Sequence, residues 1–556
     1  MDPVARKHDV IIMGGGLAGL TLAIQLRQRF DDIDVLVIER RAHPVPHAAH
    51  KVGESSVEIG AHYFDTVLGL KEHMQTKQLR KFGFRFFNSE GKRDLDQVTE
   101  IGARRFLRVP SYQIDRGIFE NFLAEEAVRL GASVVDDAMV RQIDLAGDAA
   151  NAGGSSGVRD SQPLHRVTWT QGEATHTAEA RWIVDACGRA GLIKRKLGLA
   201  EANAHDVNAA WFRIGEHIDV DQWVDNKDWR ALCNPQSRWL STNHMCGTGY
   251  WTWLIPLASG SHSVGIVADP KLHPLETYNT FEKAMDWLQK WQPSVFDKLD
   301  GKRHLLQDFL FLRHFSHGCK QVFSGQRWAL TGDAGLFLDP FYSPGSDFIA
   351  MSNCYITDLI AHDRAGESIE ARAQLYDQLY HSFYESTLAL YQDQYPIFGD
   401  PEVLPVKVIW DYTYYWAVLA QIFFHNRLTD LAMLGSVKEE LQHCQKLNIA
   451  MQNFLRAWSE RTTKRNPAVM LDHAGLPWFV DLNSSLYDTL DDAAFRQRLR
   501  DGTDLLRRLA TEIYDRSEAH RPEPEGMLLR ALVDQKMTTA PAAAAQGTLL
   551  FEALQH

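Results

Sequence analysis

The chain has 556 residues, 45% of them hydrophobic, and a formal net charge of −12. That length exceeds one compact core and implies about two to four domains or subdomains, and the acidic balance argues against a nucleic-acid partner, which would need a basic surface. The six cysteines (Cys187, Cys233, Cys246, Cys319, Cys354 and Cys444) are scattered without a CxxC pair, which argues against a disulfide framework or zinc site and makes a reducing cytoplasm the expected compartment.

In chain order, His8 to Met13 reads as a buried strand, Gly14 to Gly16 as a turn and Leu17 to Phe30 as a helix; Val35 to Ile38 is a second strand ending in Glu39. This is a βαβ unit. His43, His47 and His50 lie in a Pro-rich loop without acidic companions, and are read as exposed side chains rather than metal ligands. Phe82 to Phe87 and Phe106 to Val109 have strand character, Ile118 to Leu130 is helical and Ser133 to Val135 is a strand. The Ala/Gly/Ser-rich stretch from Asp148 to Leu164 reads as a hairpin loop. Arg181 to Ala186 and Arg327 to Thr331 are buried strands. Between Asn208 and Leu312, alternation as in "GYWTWLIPL" predicts an antiparallel sheet with one covered face.

Beyond Ile369 the pattern is almost entirely helical, with an Ala-rich tail from Thr538. Val408 to Phe424 contains Asp411 and Gln421, and is read as a buried helix rather than a membrane segment; no apolar stretch is long enough to span a bilayer. The aromatics Trp410, Tyr412, Tyr414, Tyr415 and Trp416 either line a pocket or fill a helical core.

The expected class is α/β: a Rossmann-like FAD-binding domain, an interwoven antiparallel-sheet substrate domain and a helical C-terminal region. The first part of the FAD-binding domain spans 1–200, with substrate-domain strands at about 82–110, and the sheet domain spans 201–326. The FAD-binding domain returns at 327–368, the helical region covers 369–540 and the tail 541–556.

Gly14, Gly16 and Gly19 form GxGxxG between strand and helix, where glycine permits close backbone approach to a pyrophosphate and the helix N-terminus offers free N–H groups. Glu39, twenty positions after Gly19, can accept from ribose hydroxyls. "WIVDACGRAG" (Trp182 to Gly191) and "WALTGDAGLFLDP" (Trp328 to Pro340) follow in order. With GxGxxG, these segments resemble the glutathione-reductase-like flavoproteins and their aromatic-hydroxylase relatives. The resemblance implies FAD, with Gly332 and Asp333 on its ribityl chain, Pro340 beside it, and Gln113 and Arg116 of "SYQIDRGIFENFL" as cofactor contacts. The chain has no second GxGxxG for a nicotinamide.

Trp251-Thr252-Trp253-Leu254-Ile255-Pro256 matches WxWxIP, and Phe337 to Gly345 fits FxxPxxSxG; "KVGES" (Lys51 to Ser55) is similar to a flavin-adjacent loop. Over about residues 8 to 360 the chain thus resembles the flavin-dependent halogenases. The resemblance implies reduced FAD from a separate flavin reductase, oxygen and halide as inputs, and hypohalous acid passed internally to Lys81. The lysine meets an electron-rich aromatic, phenol- or pyrrole-like, free or carrier-tethered. Trp251, Trp253 and Pro256 would separate substrate from flavin, and Ser343, Gly345 and Ser346 would form the halide turn.

One departure concerns that turn: Pro344 has no N–H to offer a halide, and an ionised, inward-pointing Asp347 would repel it. An FAD-dependent monooxygenase or oxidase on the same scaffold is therefore the alternative, and a flavin-binding protein without turnover a third reading. Halide dependence separates the first two. A Lys81 buried beside an aromatic-lined pocket separates both from the third.

Overall fold

The computed structural model describes residues 6–47, 52–146, 163–535 and 548–551. Most of the predicted 148–164 loop, most of the tail, His50 and Lys51 lie outside the described residues.

The dinucleotide-type sheet runs β7 (Ser133–Val135), β2 (Val35–Ile38), β1 (Arg6–Met13), β10 (Ala174–Asp185), β9 (His165–Gln171), β8 (Ala138–Asp144), and β18 (Trp328–Leu330) also pairs with β10. β7, β2, β1, β10 and β18 pair in parallel; β9 and β8 are antiparallel. Val10 to Met13 and Val35 to Ile38 are all buried, as continuous apolar runs in a sheet covered on both faces should be. The helix Leu17–Arg29 packs on this sheet, and three strand ends meet at one edge: Met13 precedes the glycine turn, Asp185 precedes Gly188, and Leu330 precedes Gly332.

The second sheet has the order β16 (Leu306–Leu312), β12 (Asn208–Ile214), β15 (His262–Ala268), β14 (Tyr250–Pro256), β13 (Thr242–Gly247), β4 (Phe84–Asn88), β5 (Glu100–Gly102), β19 (Met470–Asp472). It is antiparallel except where β4 joins β13 and β19 joins β5. Two short ribbons complete the strands: β3 (Leu79–Arg80) with β6 (Tyr112–Gln113), and β11 (Ala200–Ala202) with β17 (His317–Cys319).

Strand periodicity divides the second sheet between two cores. Trp251, Trp253, Ile255, Phe84 and Phe86 face the large core shared with the FAD-type domain, while Tyr250, Leu254 and Phe87 pack on the helices Phe281–Trp291 and Pro293–Leu299 behind the sheet.

Three sequence expectations need correction. Phe106 to Val109 is irregular rather than a strand; Phe106 packs edge-on against Phe82 at 4.7 Å under the Arg80 guanidinium, and the consecutive half-buried Phe106 and Leu107 lack alternation. The C-terminal region also supplies a strand, β19, to the substrate sheet. His43 is half-buried rather than exposed, whereas His47 is exposed.

Val408 to Phe424 is a buried helix, as expected, but a π-helical turn, Tyr415–Leu419, interrupts it. Among the described residues no helix is long and apolar enough to cross a membrane.

Candidate active site

The groove at the strand ends accommodates a dinucleotide. Gly14 has φ +108, and a Cβ there would lie 2.3 Å from the Ala186 carbonyl oxygen; one on Gly19 would lie 1.9 Å from the Gly14 oxygen. Glycine is therefore required at both positions. Gly16 caps the Leu17–Arg29 helix without a side-chain hydrogen bond, leaving first-turn N–H groups for a phosphate. Glu39 reaches back over this turn, its Oε2 accepting from the Gly15 N–H at 2.6 Å and its Oε1 from Arg41 N–H at 2.9 Å. Gly332 takes φ +61 at the end of β18, with Asp333 beside it.

Of the other predicted cofactor contacts, the Arg116 guanidinium pairs with Glu120 at 2.6 Å and donates to the Val52 carbonyl at 2.6 Å. Gln113 is fully buried, and its amide is directed at Thr242 and the Leu240 carbonyl. These groups fit FAD: a glycine cradle that a Cβ would fill, an open helix N-terminus and a carboxylate ending β2.

Lys81 lies elsewhere, at the floor of a narrow cleft. Its position follows β3, whose pairing with β6 holds the Lys81 N–H to the Ser111 carbonyl at 2.8 Å. The side chain is 3% exposed. Nζ donates to Ser55 Oγ at 2.9 Å and to the Ser56 carbonyl at 3.0 Å, and sits 3.4 Å from the Phe84 ring centroid. Burial pushes its pKa well below the ordinary lysine value, opposed by the charges of Glu58 and then Asp347.

Glu58 opens the short helix Glu58–His62 and lines the same cleft; its Oε2 has no hydrogen-bond partner among the described residues. Burial raises its pKa, against its own backbone N–H, the Trp416 indole and the Lys81 charge.

Asp347 binds this helix from the neighbouring segment. Its Oδ1 accepts from the Gly60 N–H at 2.8 Å and its Oδ2 from the Tyr415 hydroxyl at 2.7 Å, while the Tyr415 oxygen accepts from the Ile59 N–H at 3.0 Å. Gly60 is needed here, because a Cβ would stand 2.6 Å from that of Ser346. Burial lifts the Asp347 pKa to about 7, opposed by those two hydrogen bonds. Burial thus drives Lys81, Glu58 and Asp347 towards their neutral forms.

An aromatic layer connects the cleft to the turn after β18. Phe84 lies 5.4 Å from the His244 ring; His244 lies 5.0 Å from Trp251 and 5.1 Å from Phe341; Trp251 meets Phe341 edge-on at 5.2 Å. Trp251 Nε1 donates to the Tyr395 hydroxyl at 3.2 Å, and that hydroxyl donates to Asp339 at 2.7 Å, which also binds His205 and caps the Pro340–Tyr342 turn. The WxWxIP strand and the FxxPxxSxG turn are therefore locked together through Tyr395. Trp253 donates to Ser263 Oγ at 3.0 Å, and its ring covers Gly265, where a Cβ would lie 2.2 Å from it.

In that turn Ser343 adopts φ +51, and Pro344 becomes the N-cap of the helix Gly345–Arg364. The first two N–H groups, of Gly345 and Ser346, have no partner among the described residues. Asp347 points to Gly60 and Tyr415.

The sequence reading did not single out Glu58, His473, Tyr395 or His244. His473, beside β19, is 1% exposed, lines the cleft, and has neither ring nitrogen hydrogen-bonded among the described residues. Tyr412 also lines the cleft, whereas Trp410 and Trp416 fill the core.

The FAD binding domain family matches residues 7–274. The flavin-dependent halogenase chlA of Dictyostelium discoideum is 26% identical over 444 residues, 75% of this chain and 70% of its own length. A pyrrole-2-carbonyl carrier-protein chlorinase of Pseudomonas fluorescens is 25% identical, over 66% of this chain and 76% of its own. Among solved structures, the halogenase PltM with phloroglucinol and FAD shares the fold at a TM-score of 0.60 and 16% identity, covering 94% of this chain and 98% of its own. Fold and groove define an FAD-dependent oxidoreductase. Within that class the chain is similar to the flavin-dependent halogenases.

Proposed function

We propose that this chain halogenates an electron-rich aromatic substrate at the Lys81 cleft. The observation that carries the reading is the buried Lys81, with Glu58 lining the same aromatic cleft, connected to the flavin-side turn through the Phe84, His244 and Phe341 rings.

Bound FAD, reduced by a separate reductase, would supply hypohalous acid from oxygen and halide. Gly14, Gly16, Gly19, Glu39, Arg116, Gly332 and Asp333 would hold it, with Gln113 and Pro340 close by. The free N–H groups of Gly345 and Ser346 begin a twenty-residue helix, so they and its dipole suit a halide despite Pro344. Pro344 occupies a position whose N–H would not enter the helical ladder, and the Asp347 carboxyl is turned away into its own hydrogen bonds.

Lys81 Nζ, largely stripped of water, hydrogen-bonds the electrophile and aims it at the ring, gaining rate through position. Glu58 Oε2 accepts the proton that the ring releases on substitution, a task suited to a carboxylate whose basicity burial has raised. Trp251 and Trp253 keep the ring from the flavin, which suppresses direct oxygenation. The reading is tested by supplying chemically reduced FAD, oxygen and a phenol with and without bromide; bromide-dependent consumption of the phenol is expected, and consumption indifferent to bromide favours a monooxygenase.

A further inference from the structure

The mouth of the cleft carries arginines in a chain that is acidic overall. Arg80 and Arg105 line it, and Arg108 stands next to them over the Tyr487 ring at 5.7 Å. All three are exposed, and none pairs with a carboxylate among the described residues. Each spends one donor on a backbone carbonyl: Arg80 on Leu107 at 2.9 Å, Arg105 on Ala474 at 3.1 Å, Arg108 on Ser484 at 3.5 Å. A guanidinium carries five N–H donors, so most remain available in a fork that matches carboxylate or phosphate. Asp472, on the segment of His473, accepts the backbone N–H groups of Arg104 and Ala474 on its Oδ1.

Deeper in, two buried polar groups lack partners: Glu58 Oε2 and both nitrogens of His473. Burial pulls the His473 pKa down to about 3, so its imidazole is neutral and offers one donor and one acceptor. Leaving such groups unpaired is costly, and a hydroxyl entering the cleft would satisfy them.

Resting on the halogenase reading, we infer that the aromatic substrate carries a hydroxyl and an anionic group, a carboxylate or a phosphate. The hydroxyl is received by His473 and Glu58, and the anion stays at the mouth on Arg80 and Arg105. Charge at the mouth and orphaned polar groups at the floor then fix which ring edge faces Lys81.

The test is calorimetric binding to the FAD-loaded enzyme. The probes are para-hydroxyphenylpropanoate, para-hydroxyphenethyl phosphate, the neutral para-propylphenol, and phenylpropanoate, which lacks the hydroxyl. At least one anionic phenol should bind about tenfold or more tightly than the neutral phenol, and the tighter of the two names the headgroup. Phenylpropanoate should bind more weakly than its hydroxylated partner. Arg80→Gln and Arg105→Gln should each weaken the anionic phenols several-fold and leave para-propylphenol unchanged, and the preference should shrink at about 0.5 M salt. Equal affinity for charged and neutral phenols, or arginine variants that weaken all probes alike, would overturn the inference. Because binding needs no turnover, a failure of halogenation leaves this result to stand or fall separately.

Discussion

Replacing Lys81 by methionine separates the chemistry from the fold. Methionine keeps the length and volume of the stem and removes only the ammonium. The change deletes the hydrogen bonds to Ser55 Oγ and the Ser56 carbonyl. Ser55 keeps Thr242 at 2.9 Å, so one buried carbonyl is left short, at a cost of about 1–3 kcal/mol. Against this, a buried amine whose charged form is disfavoured is removed, a relief of similar size. Stability should therefore stay within about 2 kcal/mol of the parent. Halogenated product should fall by about 10²-fold or more, the loss that misplacing a reacting group brings. FAD binding and oxygen-dependent reoxidation should persist, since neither uses this cleft. The assay measures all three: mass-spectrometric product, FAD stoichiometry and stopped-flow flavin absorbance. A variant that retains more than about a tenth of the product, an effect under 1.4 kcal/mol, refutes the role of Lys81, as does loss of FAD together with activity.

Four further outcomes follow from the same geometry. Glu58→Gln should lower turnover about 10²-fold and remove from the pH–rate profile an acid limb lying above the ordinary glutamate range, because burial raises this carboxyl; an unchanged limb assigns it to another group. Asp347 has a folded-state pKa of about 7 against an unfolded value of 3.8, so it favours folding below pH 4 and loses that contribution as pH rises through 7; Asp347→Asn should match the parent in melts near pH 4 and exceed it near pH 8, by at most about 4 kcal/mol, with Glu58, Lys81 and Tyr415 as the neighbouring groups. Pro344→Ala adds an N–H without a competing side-chain oxygen, and should lower the halide KM by the worth of one charge-assisted hydrogen bond, about 1.5–3 kcal/mol; an unchanged KM places halide elsewhere. The purified chain should reduce FAD negligibly with NADH or NADPH until a flavin reductase is added, and rapid reduction without one contradicts the two-component reading.

Local signals carried the sequence reading where chemistry and backbone coincide. The run from His8 to Met13, the glycine turn and Val35 to Ile38 specify a covered βαβ unit because continuous apolar strands and obligatory glycines leave few other structures. Lys81 was found through its resemblance to a family position. The groups that share its cleft were not, because tertiary pairing brings them there: β19 joins β5 across more than three hundred residues, setting His473 beside the cleft that Glu58 also lines. Alternation does not announce a histidine that follows a three-residue strand. Pro344 was read as a missing donor; the helix it caps explains why the following N–H groups remain free. Phe106 to Val109 has the aromatic content of a strand, but Phe106 packs on Phe82 and under the Arg80 guanidinium instead of pairing with a neighbouring strand.

The most direct test is the mass of the product from one aerobic incubation of the purified enzyme with reduced FAD, bromide and an electron-rich phenol. A product in which bromine has replaced a ring hydrogen, absent when bromide is omitted and absent with Lys81→Met, is predicted. A product that has gained oxygen instead, formed equally without bromide and by the Lys81 variant, would contradict the account.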